Sequence, residues 1–214
     1  MPGIREDTPL RRAVDVVVAT GSLVVLAPVF AVVAVAIKLE SAGPVFFAQR
    51  RVGVEERPFR IFKFRSMVQD ASRKGPKISG KRDPRITRVG GVLRATKLDE
   101  FPQLWNVLRG EMTLIGPRAE IPEMVAHYTE EEKLTLRVRP GLTCPGQLHF
   151  TTDQAADLDG IEDPEAHYVE TQLHPKLALD LAYLRRRSLA TDLSVVGKTL
   201  VVMAQALTRA GADA

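Results

Sequence analysis

The pattern of apolar and polar positions divides the chain near residue 40. From Val16 to Ile37 no charged residue occurs, and only Thr20, Gly21, Ser22 and Pro28 interrupt the apolar run. About 20 apolar residues, each rising about 1.5 Å, suffice to cross a bilayer as a helix, so the segment is expected to be membrane-embedded. Pro28 lies near its middle, removes a backbone hydrogen bond and predicts a helix broken at that point. Arg11 and Arg12 precede the run and Lys38 follows it. Basic flanks favour the cytoplasmic side, and these three can hold anionic headgroups. With both ends drawn to one side, a re-entrant helix fits better than a span. Two readings compete with it: a kinked transmembrane helix, and a secretory signal, against which the run is long for an h-region of about 7–15 residues.

Beyond residue 40 the pattern shortens. Pro44–Gln49 and the alternating Phe59–Phe64 read as strands joined through a turn that begins at Gly53, which predicts a β-hairpin. Phe59, Ile61 and Lys63 share one face and Arg60, Phe62 and Phe64 the other, so the hairpin is expected to lie on a core or a membrane surface. Ser72–Pro84, rich in Lys, Gly, Ser and Pro, reads as a mobile loop and candidate lid. A helix is expected over Pro175–Arg187. The mostly apolar Ser194–Arg209, interrupted by Lys198, Gln205 and Arg209, suits an interfacial helix or a core helix. The fold class expected is α/β in the α+β sense, mostly helical with a small β-hairpin. Residues 1–40 form the membrane-embedded part, integral to the fold, and residues 41–214 form the remaining domain.

Composition narrows the partners without choosing one. The 214 residues are 45% hydrophobic, enough to bury a core. A net charge of +4 favours nucleic acid, anionic lipid or a phosphorylated small molecule. The single cysteine, Cys144, rules out an internal disulfide, and the lack of Cys and His clusters argues against structural zinc. A cytosol-facing location follows.

The candidate chemistry lies where Arg82, Arg85, Arg88, Arg94 and Lys97 lead into the adjacent acids Asp99 and Glu100. One reading is structural: the cations form a solvated face, Asp99 caps a helix with Pro102 in its first turn, and Leu104, Val107 and Leu108 face a core. The other is a phosphate site. A helix N-terminus attracts anions, Gly90 and Gly91 permit close backbone approach, and the same field keeps Asp99 ionised and nucleophilic.

Several long motifs, in order, carry a resemblance. The apolar segment with its central proline, IKLESAGPVFFAQRRVG, FRIFKFRSM, DPRITRVGGVLRATKLDEFPQLWNVLRGEMTLIGPR and VRPGLT together resemble the bacterial sugar transferase family, monotopic polyprenyl-phosphate phosphoglycosyl transferases. The resemblance is strong over about residues 10–145 and weaker to about 205. It implies transfer of a phosphosugar from a UDP-sugar to polyprenyl (undecaprenyl) phosphate at the cytosolic face of the inner membrane. The products would be UMP and a polyprenyl diphosphate sugar, the first membrane step of exopolysaccharide, O-antigen or glycoprotein assembly. It implies that Asp99 is the nucleophile forming a covalent phosphosugar intermediate, and that Glu100 binds Mg²⁺. Lys63, Arg94, Arg118 and Arg139 match positions around the phosphates, and Asp180 matches an acid near the active site. Mg²⁺ with one carboxylate and substrate phosphates is chemically reasonable, and arginine forks suit phosphate.

The chain departs from the family pattern at several places. Ala27 stands where serine usually precedes the proline, and Ala119 where proline usually follows GPR. Cys144, Pro145 and Gly146 replace the usual Gly, Trp and Ala before Gln147, and Asp153–Asp163 is unusually acidic. The competing reading is a non-catalytic membrane module that binds anionic lipid or a partner enzyme; an intact acid pair with its cations disfavours it. A nucleic-acid partner is not expected, because the basic residues surround acids instead of forming a stripe. Homodimerisation is left open.

Overall fold

The computed structural model describes residues 4–71, 75–78, 80, 82–149 and 158–212. Helix α1 runs from Pro9 to Glu40, 32 residues, with Thr8 as N-cap accepting a hydrogen bond from the Arg11 backbone N–H. It is the one helix, among the described residues, long and apolar enough to cross a membrane. The expected break at Pro28 is not seen: α1 is continuous, with Pro28 inside it. The reason lies in how α1 packs. Arg12, Asp15, Ala19, Leu23, Leu26, Phe30, Val33, Ile37 and Glu40 all touch the rest of the protein. Their spacing of three and four residues marks one helix face, unbroken on either side of the proline. Pro28 sits on the opposite, exposed face. Contacts on both flanks hold the helix while the one lost hydrogen bond faces outward.

The hairpin forms as expected, with shifted ends. Strands β1 (Phe46–Val52) and β2 (Pro58–Phe64) pair antiparallel, Phe46 opposite Phe64 and Val52 opposite Pro58. Both faces are used, because Ile61 packs with Ala19, Leu104, Val107 and Met112, while Phe64 packs with Ile37 and Leu93. After α2 (Arg88–Ala95), a 3₁₀ segment (Leu98–Gln103) leads into α3 (Leu104–Arg109). Strand β3 (Thr113–Ile115) pairs in parallel with β4 (Gly141–Thr143), a pairing with no counterpart among the expected elements. Short helices α4 (Pro122–Val125), α5 (Pro145–His149) and α6 (Pro164–Tyr168) follow in chain order around these strands. A π-helical turn, Val169–Leu173, joins α6 to α7 (His174–Arg186). Helix α8 (Leu189–Ala212) encloses the expected C-terminal helix. It buries Val195 and exposes Leu189, Leu193, Val196 and Leu200, a stripe at helical spacing. A core helix would not leave that stripe uncovered.

Asp15 joins α1 to the sheet. Its carboxylate, 6% exposed, accepts the Thr113 hydroxyl at 2.7 Å and the Leu114 N–H at 3.0 Å. Asp15→Ala would leave that hydroxyl and N–H buried and unpaired, at a cost of about 1–3 kcal/mol. A thermal midpoint in detergent several degrees below wild type is the expected result; an unchanged midpoint would mean that the tie contributes nothing.

Candidate active site

The acid pair owes its position to the apolar residues on either side. Leu98 packs toward Ile37, Phe64 and Leu93, and Phe101 toward Ala19, Ile61 and Leu104, so residues 99 and 100 are held between two clusters. Lys97 enters the segment in the left-handed region, φ 61°, and is itself the N-cap. Asp99 is therefore not the expected N-cap but lies inside the first 3₁₀ turn. The α2 start behaves as a Gly-dependent close approach: a Cβ at Gly90 would lie 2.0 Å from the Ser66 carbonyl oxygen, whereas Gly91 faces open space.

Asp99 faces a cavity of about 560 Å³. One wall is the hairpin with Phe46, Phe47 and Lys63, the second carries Arg94 and Lys97, and the third carries Tyr168, Gln172 and Lys176; Arg118 lines it as well. Glu100 lines a smaller adjoining void of about 10 Å³, shared with Arg51, Lys63, Gln103, Arg118 and Gln147, enough for about one water-sized occupant. Lys63 borders both spaces and donates to Glu100 at 2.6 Å.

These surroundings drive the two acids apart. Burial, and next the charge of Glu100, raise Asp99 to about 6, against the pull of Lys63, Lys97 and Arg94. Burial also opposes ionisation of Glu100, but Lys63, Arg118 and Lys97 outweigh it and hold that carboxyl well below the usual range. Glu100 stays charged throughout the neutral range, and Asp99 ionises within reach of it. Arg118 is fixed by Glu120, whose carboxylate lies 3.2 Å from its Nε, and by Gln147. Glu120 also accepts from Arg51 at 3.3 Å and from the Tyr168 hydroxyl at 2.9 Å. Burial lowers Arg51 and raises Tyr168, so this network holds a protonated phenol.

Of the expected site residues, Lys63, Arg94 and Arg118 converge with Asp99 on the cavity, and Glu100 joins through Lys63. Asp180 lies behind the wall, 1% exposed, accepting the Gly146 N–H at 2.8 Å and the Arg118 N–H at 3.2 Å. It ties the segment after β3 to the start of α5, and burial raises it to about 7. Arg139 is elsewhere: its guanidinium binds Asp7 at 3.2 Å and the Gly110 carbonyl at 2.8 Å. Arg11 pairs with Asp192, and Arg12 donates to the Leu108 carbonyl at 2.8 Å at the end of α3, so both serve protein contacts. Lys38 is exposed near the end of α1. In the cationic run, Arg85 is turned inward, donating to the Ala71 carbonyl at 2.8 Å and pairing with Asp83 at 2.6 Å.

Of the expected lid, residues 72–74, 79 and 81 lie outside the described residues, as do 153–157 of the acidic segment. Lys77 and Ile78 line the cavity, and Lys77 pairs with Glu123 at 2.6 Å. Glu120, Tyr168, Gln172 and Lys176 went unnoticed in the sequence; no spacing rule links 118–120 to 168–176. Among the departures, Ala27 is exposed, and the Ala119 carbonyl accepts from Arg51 at 3.0 Å. Gly146 is closely packed: a Cβ there would fall 2.4 Å from the Lys176 carbonyl oxygen.

An acid pair divided between a cation-lined cavity and a smaller adjoining void defines an anion-receiving cleft. Residues 6–206 match the bacterial sugar transferase family, and the chain belongs to that family. It is 38% identical over 194 residues to the UDP-N-acetylgalactosamine-undecaprenyl-phosphate N-acetylgalactosaminephosphotransferase of Aeromonas hydrophila, covering 89% of this chain and 43% of that protein. It is 36% identical over 207 residues to the UDP-glucose:undecaprenyl-phosphate glucose-1-phosphate transferase of Escherichia coli K12, covering 91% and 41%. The chain thus spans less than half the length of these two. It spans 95% of the exopolysaccharide production protein PSS of Rhizobium leguminosarum bv. phaseoli, at 35% identity over 206 residues and 91% of this chain.

The raised Asp99 carries a stability consequence. Its folded value of about 6 exceeds the ordinary 3.8, so ionisation costs the fold free energy that is fully present above about 6 and absent below 3.8. Asp99→Asn should therefore raise the thermal midpoint at pH 7.5, by a gain on the order of 1–3 kcal/mol, and leave it unchanged near pH 3.5. A midpoint lowered at pH 7.5 would show that the carboxylate stabilises its surroundings instead.

Proposed function

We propose that the protein is a phosphoglycosyl transferase that moves a phosphosugar from a UDP-sugar to undecaprenyl phosphate, giving UMP and undecaprenyl diphosphate sugar. The observation that carries this reading is the buried Asp99 carboxylate facing a cavity walled by Lys63, Arg94, Lys97 and Arg118. With its pKa near 6, Asp99 is mostly ionised at neutral pH and need not lose a proton to attack. One carboxylate oxygen forms a bond to the sugar-bearing phosphorus as the bond from that phosphorus to the bridging oxygen breaks, and UMP leaves with the bridging oxygen. A phosphate oxygen of the polyprenyl phosphate then attacks the same phosphorus, and the acyl-phosphate bond breaks to restore Asp99. The surrounding cations neutralise the non-bridging oxygens in both displacements and hold the groups in line.

The donor set suits Mg²⁺. Mg²⁺ takes oxygen ligands and is commonly held by one or two carboxylates together with substrate phosphates. Glu100, kept ionised and beside the void, is the residue that would hold it. The bound ion would supply charge neutralisation at the diphosphate.

A monotopic arrangement at the cytosolic face is part of the same reading. Arg12 and Asp15 at one end of α1 and Ile37 and Glu40 at the other contact one domain, which supports placing both ends on one side of the membrane. The outward residues Val17, Val25, Val32 and Leu39 and the α8 stripe supply the lipid-facing surface.

Detergent-solubilised protein given undecaprenyl phosphate, Mg²⁺ and a panel of UDP-sugars should release UMP with at least one sugar. Asp99→Asn should lower the rate at least 10³-fold, on the order of what loss of a covalent nucleophile costs. Undiminished turnover in that variant would remove Asp99 from the mechanism. For topology, Glu6→Cys and Ala42→Cys should react with an impermeant maleimide from the same face of sealed vesicles; labelling from opposite faces would establish a span.

A further inference from the structure

The third wall of the cavity has no part in the displacements described above. Tyr168, Gln172 and Lys176 lie four residues apart in a helix that runs from Pro164 to Arg186 without a gap. In a regular α-helix each four-residue step turns about 40° past a full circle, so two steps carry the third residue about 80° around. Here the Val169–Leu173 segment is a π-turn. Its wider turn offsets that drift, and all three side chains line the cavity. π-turns are uncommon and recur at functional sites. The Lys176 ammonium lies 4.6 Å from the centre of the Tyr168 ring and donates to Gln172 at 2.9 Å. Both neighbours hold it in place, and the Tyr168 hydroxyl continues to Glu120 and thence to Arg118. The α7 backbone at Lys176 is seated against Gly146, where a side chain would collide with it.

We propose that Lys176 binds the phosphate of the departing nucleoside monophosphate, held in place by Gln172 and the Tyr168 face. The inference rests on the transferase reading given above. In an in-line displacement the leaving oxygen lies on the side of the phosphorus away from the nucleophile. The cations that act most on Asp99 are Lys63, Lys97 and Arg94, whereas the charges that act most on Lys176 are Arg118, Glu120, Asp180 and Lys97. Asp99 and Lys176 line one cavity together with Lys97 and Arg118. A diphosphate lying along it puts the attacked phosphorus at Asp99 and the second phosphorus toward Arg118 and Lys176. When the bridging bond breaks, its oxygen becomes a terminal oxygen of the nucleotide and that phosphate gains one negative charge. An ammonium beside it compensates that charge. Burial, and then Arg118, lower the lysine to about 8, which leaves it mostly protonated at pH 7. The lipid phosphate enters after the nucleotide has left, and because Asp99 is then the leaving group it attacks from the side that the nucleotide vacated.

The test measures UMP affinity by calorimetry on the detergent-solubilised full chain with Mg²⁺, and steady-state constants for both substrates. Lys176→Met should weaken UMP binding at least 10-fold and raise the donor KM similarly. Lys176→Arg should restore most of the UMP affinity. Gln172→Glu, which places a carboxylate beside the ammonium, should weaken UMP binding at least threefold and serves if Lys176→Met does not fold. A rise confined to the acceptor KM, or UMP affinities within twofold of wild type in all variants, would overturn the assignment. A wild-type protein that releases no UMP from any UDP-sugar would instead defeat the transferase reading.

Discussion

Two carboxylates on successive residues repel, and burial strengthens the repulsion because little water is left to screen it. Asp99 and Glu100 coexist because Lys63 pairs with one of them while the other faces a different space. That division governs much of the fold. Lys63 comes from the hairpin, whose two faces are clamped by α1, α2 and α3. Arg118, the next strongest influence on Glu100, comes from the loop after β3, which Asp180 on α7 secures through its backbone N–H. The distant parts of the chain thus meet at a charge balance that none of them satisfies alone.

The same arrangement explains what the sequence disclosed and what it did not. The membrane-type run, the hairpin and the two C-terminal helices are local patterns, legible from periodicity, although α1 begins at Pro9 and α8 at Leu189, well before the apolar runs that mark them. The convergence of Lys63, Arg94 and Arg118 on Asp99 was legible only because long motifs resembled a family; their separation along the chain carries no spacing signal. The β3–β4 pairing escaped because each strand has three residues and the partners lie far apart. Pro28 leaves α1 unbroken because its local effect is opposed by the stripe of contacts on the other face, which only the folded domain supplies. Arg11, Arg12 and Arg139 show the same dependence. Their charge suggested ligands outside the protein, and the structure uses them on Asp192, a helix end and Asp7. A cation's partner is a long-range fact, whereas its presence is a local one.

The residues around Asp180 show how a buried acid can matter without touching ligand. Its carboxylate holds two backbone N–H groups, one in the loop bearing Arg118 and one at the start of α5, where the chain departs from the family pattern. Gly146 in that loop admits the α7 backbone more closely than a residue with a Cβ could. The departure at residues 144–146 is therefore coupled to where α7 sits.

The continuous contact face of α1 also bears on how the protein is made. The helix leaves the ribosome before the residues it packs on: Thr113 and Leu114 follow Asp15 by 98 and 99 residues, on the order of several seconds at ordinary elongation rates, and Leu104, Val107 and Met112, which pack with Ala19, also come later. Until then the inward stripe of α1 and its acidic residue lack their native partners. The stripe is therefore buried only when the domain folds onto it, and one half of this core waits for the other.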